Sequence, residues 1–167
     1  IKTPHIDGLA SDGMRFTSFY SAYCVCSASR AALMTGCYQP RLSIPGVLGP
    51  RGNVGLHPDE VTIADLLKTK GYATMAIGKW HLGDRPEVLP TAQGFDHYFG
   101  LPYSNDMDRH NYASRGFQAP PLPLYDDREV IEGSPDQALL TRRYTDAAIE
   151  FLAEQGEAPF FLYVAHT

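Results

Sequence analysis

Basic charge, cysteine and long apolar runs are all scarce in this sequence. There are 14 lysine and arginine residues against 19 aspartate and glutamate residues, a formal net charge of −5, which argues against a nucleic-acid binder, since such a protein normally shows a basic surface. No apolar run approaches the roughly 20 residues needed to cross a bilayer. The cysteines, Cys24, Cys26 and Cys37, are odd in number and clustered, which does not make a disulfide framework. Cys24 and Cys26 stand too close together to pair without strain. The further ligands at finger-like spacing that a zinc site would need are absent around them. There are no internal repeats and no low-complexity segments. No secretory leader is found either, but the chain begins at Ile1 without a methionine, so that absence excludes nothing. What remains is the composition of a folded domain, 44% hydrophobic and 20% charged, in 167 residues, the length of one ordinary domain.

The pattern along the chain alternates helix and strand. Thr3 and Pro4 suit a helix start, predicting a short helix over 5–12 that Gly13 ends. Alternation over 14–20, with Met14, Phe16 and Ser18 on one side, predicts a strand. Residues 29–35 are helix-prone and Gly36 is a natural stop. The glycine- and proline-rich stretch 45–58 reads as loop. Residues 62–70 form an amphipathic pattern with Ile63, Leu66 and Leu67 inward, followed by an apolar strand over 72–77. Residues 81–135 read mostly as loop, with a hairpin over 122–131 around Asp126-Asp127. A long helix over 136–155 and a continuous apolar run over 160–165, suited to a central strand buried on both faces, complete an α/β pattern.

Two stretches carry chemistry. In Cys26-Ser27-Ala28-Ser29-Arg30, followed by Thr35-Gly36, a cysteine opens a helix with an arginine one turn on. Helix terminus and guanidinium together favour a thiolate or a bound anion. The same residues also suit a small core cysteine ahead of a solvated arginine. In Gly71-Tyr72-Ala73-Thr74-Met75-Ala76-Ile77-Gly78-Lys79-Trp80-His81, a cation and a proton-transfer group follow a buried strand, where α/β enzymes place their sites. A polar loop whose histidine only satisfies backbone groups is the alternative.

These two stretches resemble, in order and separation, the two signatures of the type I, formylglycine-dependent sulfatases, and more particularly arylsulfatases of the A type. The first matches Cys-x-(Pro or Ala)-x-Arg with Thr-Gly downstream; the second matches Gly-Tyr-x-Thr and Gly-Lys-x-His. Thr3-Pro4-His5-Ile6-Asp7, Gln93-Gly94-Phe95-Asp96, Leu101-Pro102-Tyr103-Ser104 and Pro159-Phe160-Phe161-Leu162-Tyr163 extend the resemblance over essentially the whole chain. It implies an alkaline-phosphatase-like α/β sandwich, with a mixed, mostly parallel central sheet flanked by helices, incomplete here. Residues 1–167 would be a partial catalytic domain without the first strand, its metal aspartates and the C-terminal part.

The implied activity is hydrolysis of sulfate monoesters. In that family the signature cysteine is oxidised to formylglycine, whose hydrate attacks sulfur with one hydroxyl and releases sulfate with the other. Cys26 matches that position and would also be a metal ligand; Cys24 does not match, since no arginine lies four residues after it. Arg30 matches the arginine that orients the nucleophile. Lys79 matches the lysine that bridges nucleophile and sulfate, and His81 the histidine that takes a proton from it. Ser104 matches a sulfate-contacting serine, although a turn-forming serine before Asn105 is the bland alternative. The implied cofactor is calcium, with magnesium possible in its place. The implied partners are a sulfated sugar or aryl sulfate and a formylglycine-generating or anaerobic sulfatase-maturing enzyme, with an exported compartment expected and neither nucleic acid nor a membrane span.

Asn105, Asp106, Asp108 and His110 look like a metal cluster, but the resemblance puts the catalytic metal elsewhere and leaves this loop to substrate or solvent. Cys37 reads as a tolerated substitution after Thr-Gly, Ala28 as the permitted alternative to proline, and His166 as a supporting residue. The isolated chain is expected to be inactive or nearly so. Competing readings are a formylglycine-dependent phosphodiester or phosphonate hydrolase of the same superfamily and a non-catalytic truncated copy. The specific sulfate ester and the oligomeric state are not legible.

Overall fold

The computed structural model describes residues 1–109 and 120–167. Its centre is β1 (Ala73–Lys79), which lies between two parallel neighbours, β2 (His97–Leu101) and β5 (Phe160–Ala165). An antiparallel hairpin of β3 (Pro123–Asp126) and β4 (Glu129–Gly133) extends the sheet beyond β2, giving the order β4-β3-β2-β1-β5. The sheet is therefore mixed, with two parallel and two antiparallel pairings among the described residues. The α/β class expected from the sequence holds, and the sheet does not close.

Helices cover both faces. On one side α2 (Cys26–Thr35) and α3 (Ile63–Lys68) share a core of Ala31, Met34, Ala64, Ala76, Trp80 and Phe95. On the other, α4 (Gln137–Gln155) presents Leu140 and Tyr144 to Ile77, Leu101 and Leu124. Adjacent residues Ala76 and Ile77 thus point into opposite cores, as the two-residue period of a strand requires. The Trp80 indole keeps its N–H satisfied in the dry interior by donating to Val88 O at 2.8 Å.

Several local predictions hold. Helix α1 (Pro4–Asp12) begins after Thr3, α2 stops at Gly36 with φ 70°, and Asp136 caps α4 by accepting from the Ala138 N–H. Others change. Residues 14–20 form no strand: Met14, Phe16, Phe19 and Tyr20 stand exposed, and without a neighbouring strand their alternation has no ladder to join. In α3 the buried residue is Ala64, while Ile63 and Leu66 face outward. The cause is the N-terminal cap: Thr62 and Asp65 form a capping box and Thr62 Oγ1 donates to Gln93 O at 2.8 Å, which fixes the roll of this short helix. The stretch read as loop contains β2, and the hairpin turns at Asp127, whose φ is 51°. Strand β5 lies at the sheet edge among the described residues, with Phe160 and Val164 partly exposed, rather than buried on both faces. No helix among the described residues is long and apolar enough to cross a membrane.

Candidate active site at the ends of β1 and β2

Strands β1 and β2 end level, Lys79 opposite Leu101. Their backbones continue together: Trp80 N donates to Leu101 O at 2.9 Å and His81 N to Pro102 O at 3.0 Å. This pairing past the strand ends is what keeps Lys79 and His81 beside the turn that carries Ser104. Close packing is possible because the neighbours are small. Gly78 faces Gly100 on one side and Ala165 on the other, and a Cβ on Gly100 would fall on the Gly78 carbonyl.

Three sequence-nominated side chains meet there. Lys79 Nζ donates to Ser104 Oγ at 3.0 Å. Arg30, one turn into the helix that Cys26 opens, donates through Nη1 to the Lys79 carbonyl oxygen and to the Tyr163 hydroxyl at 3.0 Å. One guanidinium thereby ties α2 to β1 and β5. Cys26 is half-buried at the first turn of α2, Cys24 is exposed, and no cysteine is in a disulfide.

His81 is 1% exposed and has φ 62°, a left-handed conformation uncommon for a residue with a Cβ. Its Nε2 lies 2.8 Å from Leu48 O. A carbonyl oxygen only accepts, so Nε2 carries the proton and Nδ1 holds the free lone pair. Among the described residues none gives that buried Nδ1 a hydrogen bond. Burial is the main reason that the imidazole pKa falls to about 4. The Lys79 and Arg30 charges push it further down, and the Leu48 carbonyl and Asp106 push the other way. At neutral pH the site thus combines two cations, a hydroxyl and an uncharged imidazole. That set can hold a tetrahedral anion and accept a proton.

The other candidates sit elsewhere or play other parts. Asn105 and Asp108 are engaged by Gln137 at the start of α4, with Asn105 Nδ2 donating to Gln137 Oε1 at 2.8 Å. His110 lies outside the described residues. The ring of His166 rests against Tyr144, 6.1 Å between centroids. Cys37 packs against the core beside α2. Sequence reasoning missed Tyr163, whose hydroxyl pKa is raised by burial and partly restored by Arg30. It sits in an apolar strand that carries the family resemblance but no local sign of chemistry, and only the pairing of β5 with β1 brings it to Arg30.

A sulfatase family model matches residues 1–167. The chain belongs to the sulfatase family. It is 40% identical to human arylsulfatase A over 179 residues, which cover 98% of this chain and 35% of the relative. A solved structure described as Ps i-CgsB in complex with k-i-k-neocarrahexaose superposes with a TM-score of 0.79 and 32% identity, covering 99% of this chain and 39% of that one. Another, BT4656 in complex with its substrate D-glucosamine-2-N,6-O-disulfate, gives a TM-score of 0.66 and 28% identity over 98% of this chain and 29% of that one. This sulfatase chain spans about a third of the length of the curated relatives it matches.

Sulfatases in general rely on a metal ion and a formylglycine-type residue. Among the described residues no group of three or more His, Cys, Asp or Glu side chains is arranged to hold a metal, so Cys26 has no such donor set around it there. The residues present do not by themselves fit the calcium site that the sequence resemblance implies.

Proposed function

We propose that the protein of which residues 1–167 form part hydrolyses sulfate monoesters, with Cys26 as the precursor of an aldehyde nucleophile. The observation that carries this reading is the contact of Lys79 Nζ with Ser104 Oγ, at the strand end that Arg30 links to the Cys26 helix. When present, the hydrated aldehyde would supply one hydroxyl to attack sulfur and a second to release sulfate. Lys79 holds and partly neutralises the sulfate oxygens and Ser104 donates a hydrogen bond to them, both from half-buried positions at the strand end. His81, neutral at physiological pH, accepts the nucleophile's proton at Nδ1. Arg30 orients the group at position 26 while its own Nη1 stays anchored on Lys79 O and Tyr163. The described residues do not furnish a donor set for calcium.

The chain acts on this reading as a partial catalytic domain with little or no turnover alone. The substrate class is a sulfated sugar or an aryl sulfate, as the names of the relatives and the bound sugars of the solved neighbours support. The compartment is an exported one, periplasmic, extracellular or lysosomal, and the partner is a formylglycine-generating or anaerobic sulfatase-maturing enzyme. The test is a chimera in which residues 1–167 replace the matching segment of human arylsulfatase A, produced with a formylglycine-generating enzyme. Faster turnover of an aryl sulfate than of an aryl phosphodiester supports the proposal. The reverse preference assigns the protein to phosphodiester chemistry, and turnover of neither by a folded chimera favours a non-catalytic copy.

A further inference from the structure

Ser27 is fully buried in the first turn of α2, directly after Cys26, and its hydroxyl accepts from the Leu48 N–H at 3.1 Å. Leu48 in turn offers its carbonyl to His81 Nε2 at 2.8 Å. Residue 48 is therefore gripped from both sides, its N–H by the residue beside Cys26 and its C=O by the candidate base. Residues 45–50 (Pro-Gly-Val-Leu-Gly-Pro) form an irregular segment with no helix or strand of its own. Among the described residues, the hydrogen bonds that tie this segment to the rest of the fold are those two at Leu48. The packing of the Leu48 side chain against the core also holds the segment, but the orientation of its peptide groups depends on Ser27, and the His81 acceptor depends on that orientation.

We propose that Ser27 is a positioning residue: through Leu48 it locks His81 in the tautomer that carries its proton on Nε2 and leaves the Nδ1 lone pair free. The inference deepens the sulfatase reading, since it concerns the group assigned there as proton acceptor. It couples the helix that presents position 26 to the strand end that presents the base through a loop residue, in addition to the direct tie of Arg30 to Lys79 O. An imidazole whose tautomer is fixed by a backbone carbonyl presents the same nitrogen to the reacting group in every molecule. Without the Ser27 hydroxyl, the Leu48 N–H loses its partner in a buried position. The segment then moves to satisfy it and takes the carbonyl away from Nε2.

The experiment reads His81 by long-range 15N–1H correlation in the 167-residue protein at pH 7. The parent protein is expected to show the pure Nε2–H tautomer. Ser27→Ala is expected to show a mixture of both tautomers and Nε2–H exchange faster by on the order of tenfold, the equivalent of one lost hydrogen bond. Ser27→Thr, which keeps the hydroxyl, restores the parent pattern, whereas Ser27→Val, of the same shape, does not. An Nδ1–H tautomer in the parent, or an unchanged His81 in a folded Ser27→Ala, overturns the proposal. Should the variants fail to fold, the parent alone decides. The Leu48 amide and the His81 Nε2–H should show matching protection, each relative to the intrinsic exchange rate of its own kind of N–H, and protection factors that differ by well beyond tenfold remove the coupling. None of these readings needs Cys26 to be converted or any ester to be cleaved, so failure here and failure of the proposed function are separate results.

Discussion

Lys79 Nζ donates to Ser104 Oγ at 3.0 Å, joining the end of β1 to the turn that follows β2. Twenty-five positions of sequence separate the two side chains, and the level ending of two parallel strands brings them together. In the proposed reaction this pair faces the sulfate. Lys79→Ala in the arylsulfatase A chimera is expected to lower kcat/KM for an aryl sulfate by roughly 100- to 1,000-fold, the usual loss for a donor to developing negative charge. Ser104→Ala removes a neutral hydrogen bond and is expected to cost roughly tenfold. Steady-state kinetics check both. A Lys79→Ala chimera as active as its parent would contradict the assignment.

Burial holds the His81 pKa at about 4, below its ordinary 6.5, with the Lys79 and Arg30 charges adding to the effect against Asp106 and the Leu48 carbonyl. Above pH 6.5 the imidazole is uncharged in both folded and unfolded chains and contributes no pH dependence. Between pH 6.5 and 4 the unfolded chain takes up a proton that the folded one refuses, so stability falls with falling pH. The loss totals on the order of 3 kcal/mol and levels off below pH 4 as far as this group is concerned. Urea denaturation at pH 7 and pH 4.5 measures it. His81→Asn, which tolerates a left-handed backbone, should flatten that part of the profile.

Tyr163 holds Arg30 from β5 at 3.0 Å. Removing the hydroxyl in Tyr163→Phe leaves a guanidinium proton without its acceptor in a partly buried place. The expected cost is about 1–3 kcal/mol in the urea midpoint with the fold retained. In the chimera the same substitution should lower kcat more than it raises KM, because in the proposed reaction Arg30 orients the nucleophile rather than gripping the distal part of the substrate. A substitution without effect on either quantity would leave Tyr163 no role in the site.

Gly100 has no room for a side chain, since its Cβ would fall on the Gly78 carbonyl. Gly100→Ala must push β2 away from β1 and part Lys79 from Ser104. A loss of about 1–3 kcal/mol or more is expected, with soluble yield falling accordingly. Circular dichroism melts of the variant beside the parent provide the check.

The sequence is most readable where chemistry is local. A cysteine, an arginine four residues on and a glycine stop define α2 within eleven residues, and Gly78-Lys79-Trp80-His81 follows its strand without a break. Helix α4 shows itself by periodicity, with Leu140, Tyr144 and Phe151 buried on one stripe. What could not be read depends on partners distant in the chain. The run 14–20 has strand-forming residues but no neighbour to pair with, so it stays irregular and exposed. Strand β2 is five residues with a central glycine, His97-Tyr98-Phe99-Gly100-Leu101, and gains its identity only from lying against β1. For α3, hydrophobicity points to Ile63 and Leu66 as the buried face, while a polar cap at Thr62 and Asp65 sets the rotation and buries Ala64. In the site, Lys79, Ser104 and Arg30 were nominated from pattern and resemblance, and the structure brings them to one strand end. Tyr163, Ser27 and Leu48 act through a hydroxyl or a backbone group whose partner lies at least 21 positions away, which no local pattern announces.

The central claim is that position 26 becomes the nucleophile, and peptide-level mass analysis of protein made with a formylglycine-generating enzyme tests it most directly. The account predicts that the peptide containing Cys26 carries an aldehyde in place of its thiol while the Cys24 and Cys37 thiols persist. An intact Cys26 thiol, in cells where a known sulfatase is converted, would contradict it.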